Sequence, residues 1–156
     1  MAWMNNSRQA HRVAAAGALA ALGLGVSVGA AQAGTKTAHA QKVPLTTANI
    51  NCDGSSTGGR GTGPGQGFVV YNRPADGSVI AVVVLQDARP NTAYTVRVIK
   101  SDGDCGIVDG VITTDGLGDG SVNVHEDVAV GGTVFAAVNN AADPASDYLT
   151  TGVVRP

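Results

Sequence analysis

The stretch "GFVVYNRPADGSVIAVVVLQDARPNTAYTVRVIK", Gly67 to Lys100, decides the fold. It holds three runs rich in Val, Ile, Tyr and Thr, separated by "RPADG" and "DARPN". β-Branched and aromatic residues suit a pleated, half-buried surface, while Pro, Asp, Asn and Gly supply the backbone angles of turns. In "TAYTVRV", Tyr94, Val96 and Val98 fall on one face and Thr95 and Arg97 on the other, which predicts a strand with one wet side. "SVIAVVVLQ", Ser78 to Gln86, breaks that rule. Val79, Ala81, Val83 and Leu85 are apolar on one face, and Ile80, Val82 and Val84 are apolar on the other. Either the strand is buried on both sides, or Ile80, Val82 and Val84 form an apolar contact face for a partner or a second copy.

Downstream the pattern repeats. "IVDGVITT", "SVNVHEDVAV", "GTVFAAVNN" and "DYLTTGVVR" follow in turn, punctuated by "SDGDCG", "DGLGDG" and "AADPAS". In "SVNVHED", Val122 and Val124 point in, and Asn123, His125 and Asp127 point out. Upstream, "TTANIN" (46–51) reads as a short first strand, and Gly54 to Gly67 contains no apolar residue. The whole predicts an all-β fold, a β-sandwich of about seven or eight antiparallel strands over residues 44–156. Residues 34–43 read as a flexible lead-in.

"ARPNTAYTVRV" adds a resemblance. Pro90, Thr92, Tyr94, Val96 and Val98 resemble the P-x-T-x-Y-x-V-x-V corner of fibronectin type III and related immunoglobulin-like domains. Ala88 stands where a core Leu is usual there. The resemblance implies an immunoglobulin-like sandwich in which the Tyr packs inward and its hydroxyl bonds back to main chain. It also implies an extracellular binding or spacer module.

The N-terminus points to the same compartment. Arg8 and Arg12 precede an uncharged run, Val13 to Ala31, dominated by Ala, Gly, Leu and Val; "AQA" then ends at Ala33. That order predicts a secretory signal peptide over 1–33 cleaved before Gly34, with "AHA" ending at Ala40 as the second choice. No membrane span is expected to remain. Of ten Lys and Arg, Arg8 and Arg12 leave with the leader, so eight face twelve acids and the mature charge is −4. Such a balance argues against nucleic acid as a partner. Abundant Ala, Gly, Val and Arg suit a GC-rich bacterial genome. Cys52 and Cys105 are the only cysteines, and in an oxidising compartment an even pair reads as one disulfide.

Several chemistries can be weighed by spacing. "DGLGDGSVNVHE", Asp115 to Glu126, spaces its oxygens like a calcium loop, but Leu117 occupies the third position, where an oxygen ligand belongs. An extended chain advances about 3.3 Å per residue, which puts Glu126 roughly 20 Å from Gly120. Asp115 and Asp119 remain candidate ligands for a turn-bound ion, and the stretch itself reads as a hairpin. The Gly-rich run lacks the Gly-Lys-Ser/Thr of a phosphate loop and precedes a strand. His125 lacks a nucleophile context, and Asp127 is the one acid beside it on its own face. Nearly all the aspartates lie in or beside turns, where their ordinary role is conformational.

No cofactor is expected, and the reading is a secreted, non-catalytic interaction module for an extracellular protein or surface polymer. Its candidate binding loop is Arg60, Gly61, Thr62, Gly63 and Pro64. The alternatives are a secreted protease inhibitor presenting that loop near the disulfide, a small hydrolase using His125 or aspartates, and a self-associating surface protein.

Overall fold

The computed structural model describes residues 40–100 and 105–156. In chain order the strands are β1 (Gln41–Leu45), β2 (Ala48–Ile50), β3 (Ser56–Arg60), β4 (Gln66–Asn72), β5 (Ser78–Gln86), β6 (Ala93–Lys100), β7 (Gly110–Thr113), β8 (Gly120–Asp127), β9 (Val134–Asn140) and β10 (Tyr148–Thr150). Eight of them form two four-stranded sheets, ordered β1-β4-β5-β8 and β10-β9-β6-β7, and β2 and β3 make a separate ribbon. All these pairings are antiparallel. The fold of the described residues is all-β.

The alternation read in the sequence assigns the inner faces. Val79, Ala81, Val83 and Leu85 of β5 are at most 1% exposed. They join Val69 and Tyr71 of β4 and Val124 of β8 in one hydrophobic cluster with Tyr94, Val96 and Val98 of β6 and Val134, Ala136 and Val138 of β9. Each sheet thus contributes one face to a shared core. The Tyr71 hydroxyl, buried there, finds Thr151 Oγ1 at 3.1 Å. The second face of β5 is different. Ile80, Val82 and Val84 are half-buried, with Val70 and Phe68 of β4 opposite Val82 and Val84. Lys42 covers part of this face, its ammonium 3.7 Å from the Phe68 ring centroid.

The N-terminal boundary needs correction. The expected lead-in 34–43 overlaps β1, where Gln41, Lys42 and Val43 pair with Tyr71, Val70 and Val69; residues 34–39 lie outside the described residues. The strand leaves only a weak signal in the sequence because Pro44 breaks its pattern. A proline is tolerated since β1 is an edge strand, paired only with β4. The Gly-rich run also holds a strand, β3, whose five residues are all exposed. It pairs through main chain with β2 and offers no apolar side chain as a signal.

The turn "DARPN" carries the chain from β5 in one sheet to β6 in the other. Asp87 and Asn91 take positive φ angles of 51° and 50°, a conformation that Asp and Asn tolerate better than most residues. The "DGLGDG" turn straps this corner. Ala88 N–H donates to Gly118 O at 3.1 Å and Asn91 N–H to Asp115 O at 2.9 Å. Gly118 has φ +90°, and a Cβ there would overlap the Ala88 carbonyl, so the position takes glycine for both reasons. Thr114 completes the strap, its hydroxyl donating to Arg89 O at 2.6 Å and accepting Thr92 N–H at 3.0 Å.

Candidate functional site

The chain leaves β1 by an isolated bridge between Thr46 and Thr150. This passes it from the edge of one sheet to the edge of the other and lays the ribbon beside β10. Thr150 Oγ1 donates to Ala48 O at 2.6 Å, and Gly61 N–H donates to Thr47 O at 2.7 Å. The Cys52–Cys105 disulfide ties the ribbon's far end to the segment after β6, across a sequence separation of 53 with Cα atoms 5.5 Å apart.

Between ribbon and sheet lies a cleft of about 470 Å³. Its floor follows from register. Thr95 lies opposite Asn139 and Arg97 opposite Ala137, while Tyr148 and Thr150 of β10 extend the same rows. Since Tyr94, Val96 and Val98 point into the core, Thr95 and Arg97 point the other way. Arg97, Ile99, Asn139 and Tyr148 line the floor, Asn49, Ile50 and Cys105 one wall, and Pro144 and Ala145 of the β9–β10 turn another. Arg97 Nη1 donates to Thr95 Oγ1 at 3.3 Å and to Asn139 Oδ1 at 3.4 Å. Asn139 is itself oriented by donating Nδ2–H to Pro144 O at 3.2 Å. Among the described residues no carboxylate pairs with Arg97.

One end of the cleft's frame is fixed by Asp147, 2% exposed. Its Oδ2 accepts Arg89 Nε–H at 2.9 Å, the Tyr94 hydroxyl at 3.0 Å and Asn140 Nδ2–H at 2.9 Å. The corner before β6, the hairpin between β9 and β10, and the ribbon's return all meet there. Thr62 N–H donates to Ser146 O at 2.7 Å, and Gly63 packs so closely that a Cβ would overlap Asp147 Oδ1. Burial raises the Tyr94 hydroxyl pKa, and its bond to Asp147 pushes the same way.

No protein-family model matches the chain, and no curated protein or solved structure matches it.

The residues singled out by sequence fall in four places. Arg60 ends β3, exposed and paired with Ala48. Gly61, Thr62 and Gly63 are docked along Thr47, Ser146 and Asp147, so the candidate loop around Pro64 is anchored at main-chain atoms. Ile80, Val82 and Val84 face away from the core on the opposite sheet, and the cleft and the apolar face are separate surfaces. Asp115 and Asp119 sit in the strap turn. Asp115 Oδ1 accepts the N–H groups of Leu117 and Asp119 at 2.8 and 3.0 Å. These bonds hold its pKa below the usual 3.8. Asp119 Oδ1 accepts Asp87 N–H at 3.2 Å. His125 is exposed, opposite Ile80, and no described hydrogen bond joins it to Asp127.

At the other end of the core sits an acid–base group. Lys100 Nζ lies 3.0 Å from Glu126 Oε2, and Asp109 Oδ2 accepts Val98 N–H at 2.6 Å. Burial raises the Asp109 pKa against that amide's effect, and the Glu126 charge raises it further.

Sequence reading missed Arg97 and Asp147. The alternation puts Arg97 on an outer face, but its neighbour Asn139 is 42 residues away and is found only through strand register. Asp147 borders "AADPAS" and looks like one more turn aspartate.

Proposed function

We propose that the chain is a secreted, non-catalytic interaction module built on an immunoglobulin-like sandwich. Strand order supports the fold reading. Immunoglobulin domains place strands A, B and E in one sheet and C, F and G in the other. Here β4-β5-β8 and β6-β9-β10 follow that arrangement, with β7 beside β6 and β1 added outside β4. The Tyr94 oxygen accepts Arg89 N–H, five residues upstream, at 3.2 Å, as in a tyrosine corner, here at the corner between β5 and β6. The leader-like N-terminus and the disulfide support secretion. No helix of the described residues is long and apolar enough to cross a membrane.

The cleft carries the binding reading. Its polar lining includes guanidinium, amide and phenol groups, suited to hydrogen-bonding a ligand in a fixed orientation. The scaffold beneath is held by two sheets, a disulfide and the Asp147 bonds, and such preorganisation lowers the cost of association. The test is retention of the disulfide-intact protein on secreted proteins and on insoluble surface polymers of the producing cells. Saturable retention is expected on one of them, and free passage through every fraction would sink the proposal.

A second reading, protease inhibition, has one observation in its favour: exposed Arg60 borders a segment bonded to Thr47 and Ser146. Slow trypsin cleavage at Arg60 with inhibition of a secreted protease is its signature; rapid cleavage there removes it.

A further inference from the structure

We infer that the cleft beneath the β2–β3 ribbon captures a peptide chain by its C-terminal carboxylate, with Arg97 as the anion-binding group; this rests on the interaction-module reading above. Three other cations of the described residues already have partners. Arg89 meets Asp147 and Lys100 meets Glu126. Arg73 too is met by main-chain oxygens and by no carboxylate side chain, but by four of them, those of Gly77, Val128, Ala129 and Pro156. Arg97 is held by two neutral oxygens at 3.3 and 3.4 Å, which orient the guanidinium without neutralising it. Taking a cation partly out of water is costly unless an anion meets it. A carboxylate fits the planar fork of N–H donors in a bidentate pair.

The surroundings narrow the ligand class. Ile50, Pro144 and Ala145 flank Arg97 in the cleft, an aliphatic surface suited to the terminal side chain of a peptide. Asn49 borders it and offers an amide group to the preceding peptide unit. An acidic sugar would be better served by an open aromatic face, and Tyr148 is only 7% exposed. About 470 Å³ lies within the range of roughly 300–1,000 Å³ found for small-ligand sites, enough for a few residues of an extended peptide.

The test uses the disulfide-intact protein and three probes in calorimetric or NMR titration: N-acetyl-Ala-Ala-Leu as the free acid, the same peptide as its C-terminal amide, and a galacturonate trimer. The acid is expected to bind roughly 10- to 100-fold tighter than the amide, the usual worth of a charge-assisted pair. Arg97→Gln should abolish that preference, Arg97→Lys should retain part of it, and Arg155→Gln, at an exposed position outside the cleft lining, should leave it unchanged. Backbone NMR spectra of the variants report whether each is folded. Equal binding of acid and amide, preference for galacturonate, absence of binding by all three, or an undiminished preference in folded Arg97→Lys and Arg97→Gln would each overturn the inference. The wider module reading fails separately, only when retention on secreted proteins and surface polymers is also absent.

Discussion

The Tyr94 hydroxyl donates to Asp147 Oδ2 at 3.0 Å while its oxygen accepts Arg89 N–H at 3.2 Å. One phenol therefore joins the β5–β6 corner to the start of β10, two segments 53 residues apart. The bond to Asp147 is buried; losing the hydroxyl removes one of the three donors to Asp147 Oδ2 and leaves the Arg89 main-chain N–H without its acceptor. Tyr94→Phe preserves the ring in the core and removes only the oxygen. We expect a loss of about 1–3 kcal/mol in denaturant unfolding with an unchanged slope. A loss within error would show that the corner is held by the strap turn alone.

Glycine at position 63 is set by close approach. A Cβ there would overlap Asp147 Oδ1 and crowd Asp147 Cα, which belongs to the backbone. Relief requires the ribbon's return segment to lift off the β10 entrance, breaking the Thr62–Ser146 bond. Gly63→Ala is expected to lower the melting temperature and to speed hydrogen exchange at Thr62. Gly116→Ala is the control, since nothing lies within 4 Å of its Cβ. There the reduced freedom of the unfolded chain should leave stability unchanged or raised by about 0.4–1 kcal/mol. Matching melting curves for the two variants would refute the close-packed placement of Gly63.

The disulfide has two separable effects. Closing a loop across 53 residues stabilises by about 4 kcal/mol on chain-entropy grounds. Replacing both Cys52 and Cys105 by Ala should therefore lower the melting temperature by roughly 15–30 °C for a domain of this size. The second effect is local, because Cys105 lines the cleft wall. At a temperature where the double variant is still folded, peptide-acid binding should weaken while the inner strands keep their exchange protection. Uniform loss of protection across both sheets would show that the bridge supports the whole domain and not the ribbon in particular.

Much of the fold was legible because burial follows the two-residue period. The inward residues of β5, β6 and β8 could be assigned from "SVIAVVVLQ", "TAYTVRV" and "SVNVHED" with no partner strand in view. Elements without that pattern were lost. β1 interrupts its alternation with Pro44, and β3 is built from Ser, Thr, Gly and Arg held by main-chain pairing. The cleft was illegible for another reason. Arg97, Asn139, Ile50 and Pro144 come from distant parts of the chain, and nothing local in any of them signals the others. Likewise Asp147 carries the residue type of a turn, and only burial beside Tyr94 and Asn140 marks it as a hub.

The group at the far end of the core yields a pH dependence whose sign is fixed. Burial raises the Asp109 pKa above its usual 3.8, with the Glu126 charge acting the same way and Val98 N–H and Lys100 opposing. The folded protein thus holds this proton more tightly than the unfolded chain does. Its contribution to stability is present below the usual value and is lost as pH rises through the raised one. Asp53, Asp76 and Asp115 work in reverse. Hydrogen bonds from Ser55, from Ser78, and from the amides of Asp119 and Leu117 lower their pKa values, so their stabilisation fades as pH falls below 3.8. Those three are common to wild type and Asp109→Asn and cancel in the difference between them. Asp109→Asn keeps an oxygen for Val98 N–H and removes the titration. Relative to wild type, its melting temperature should therefore rise progressively as pH increases from about 3 towards neutrality. Parallel curves across that range would mean that Asp109 titrates alike in the folded and unfolded states.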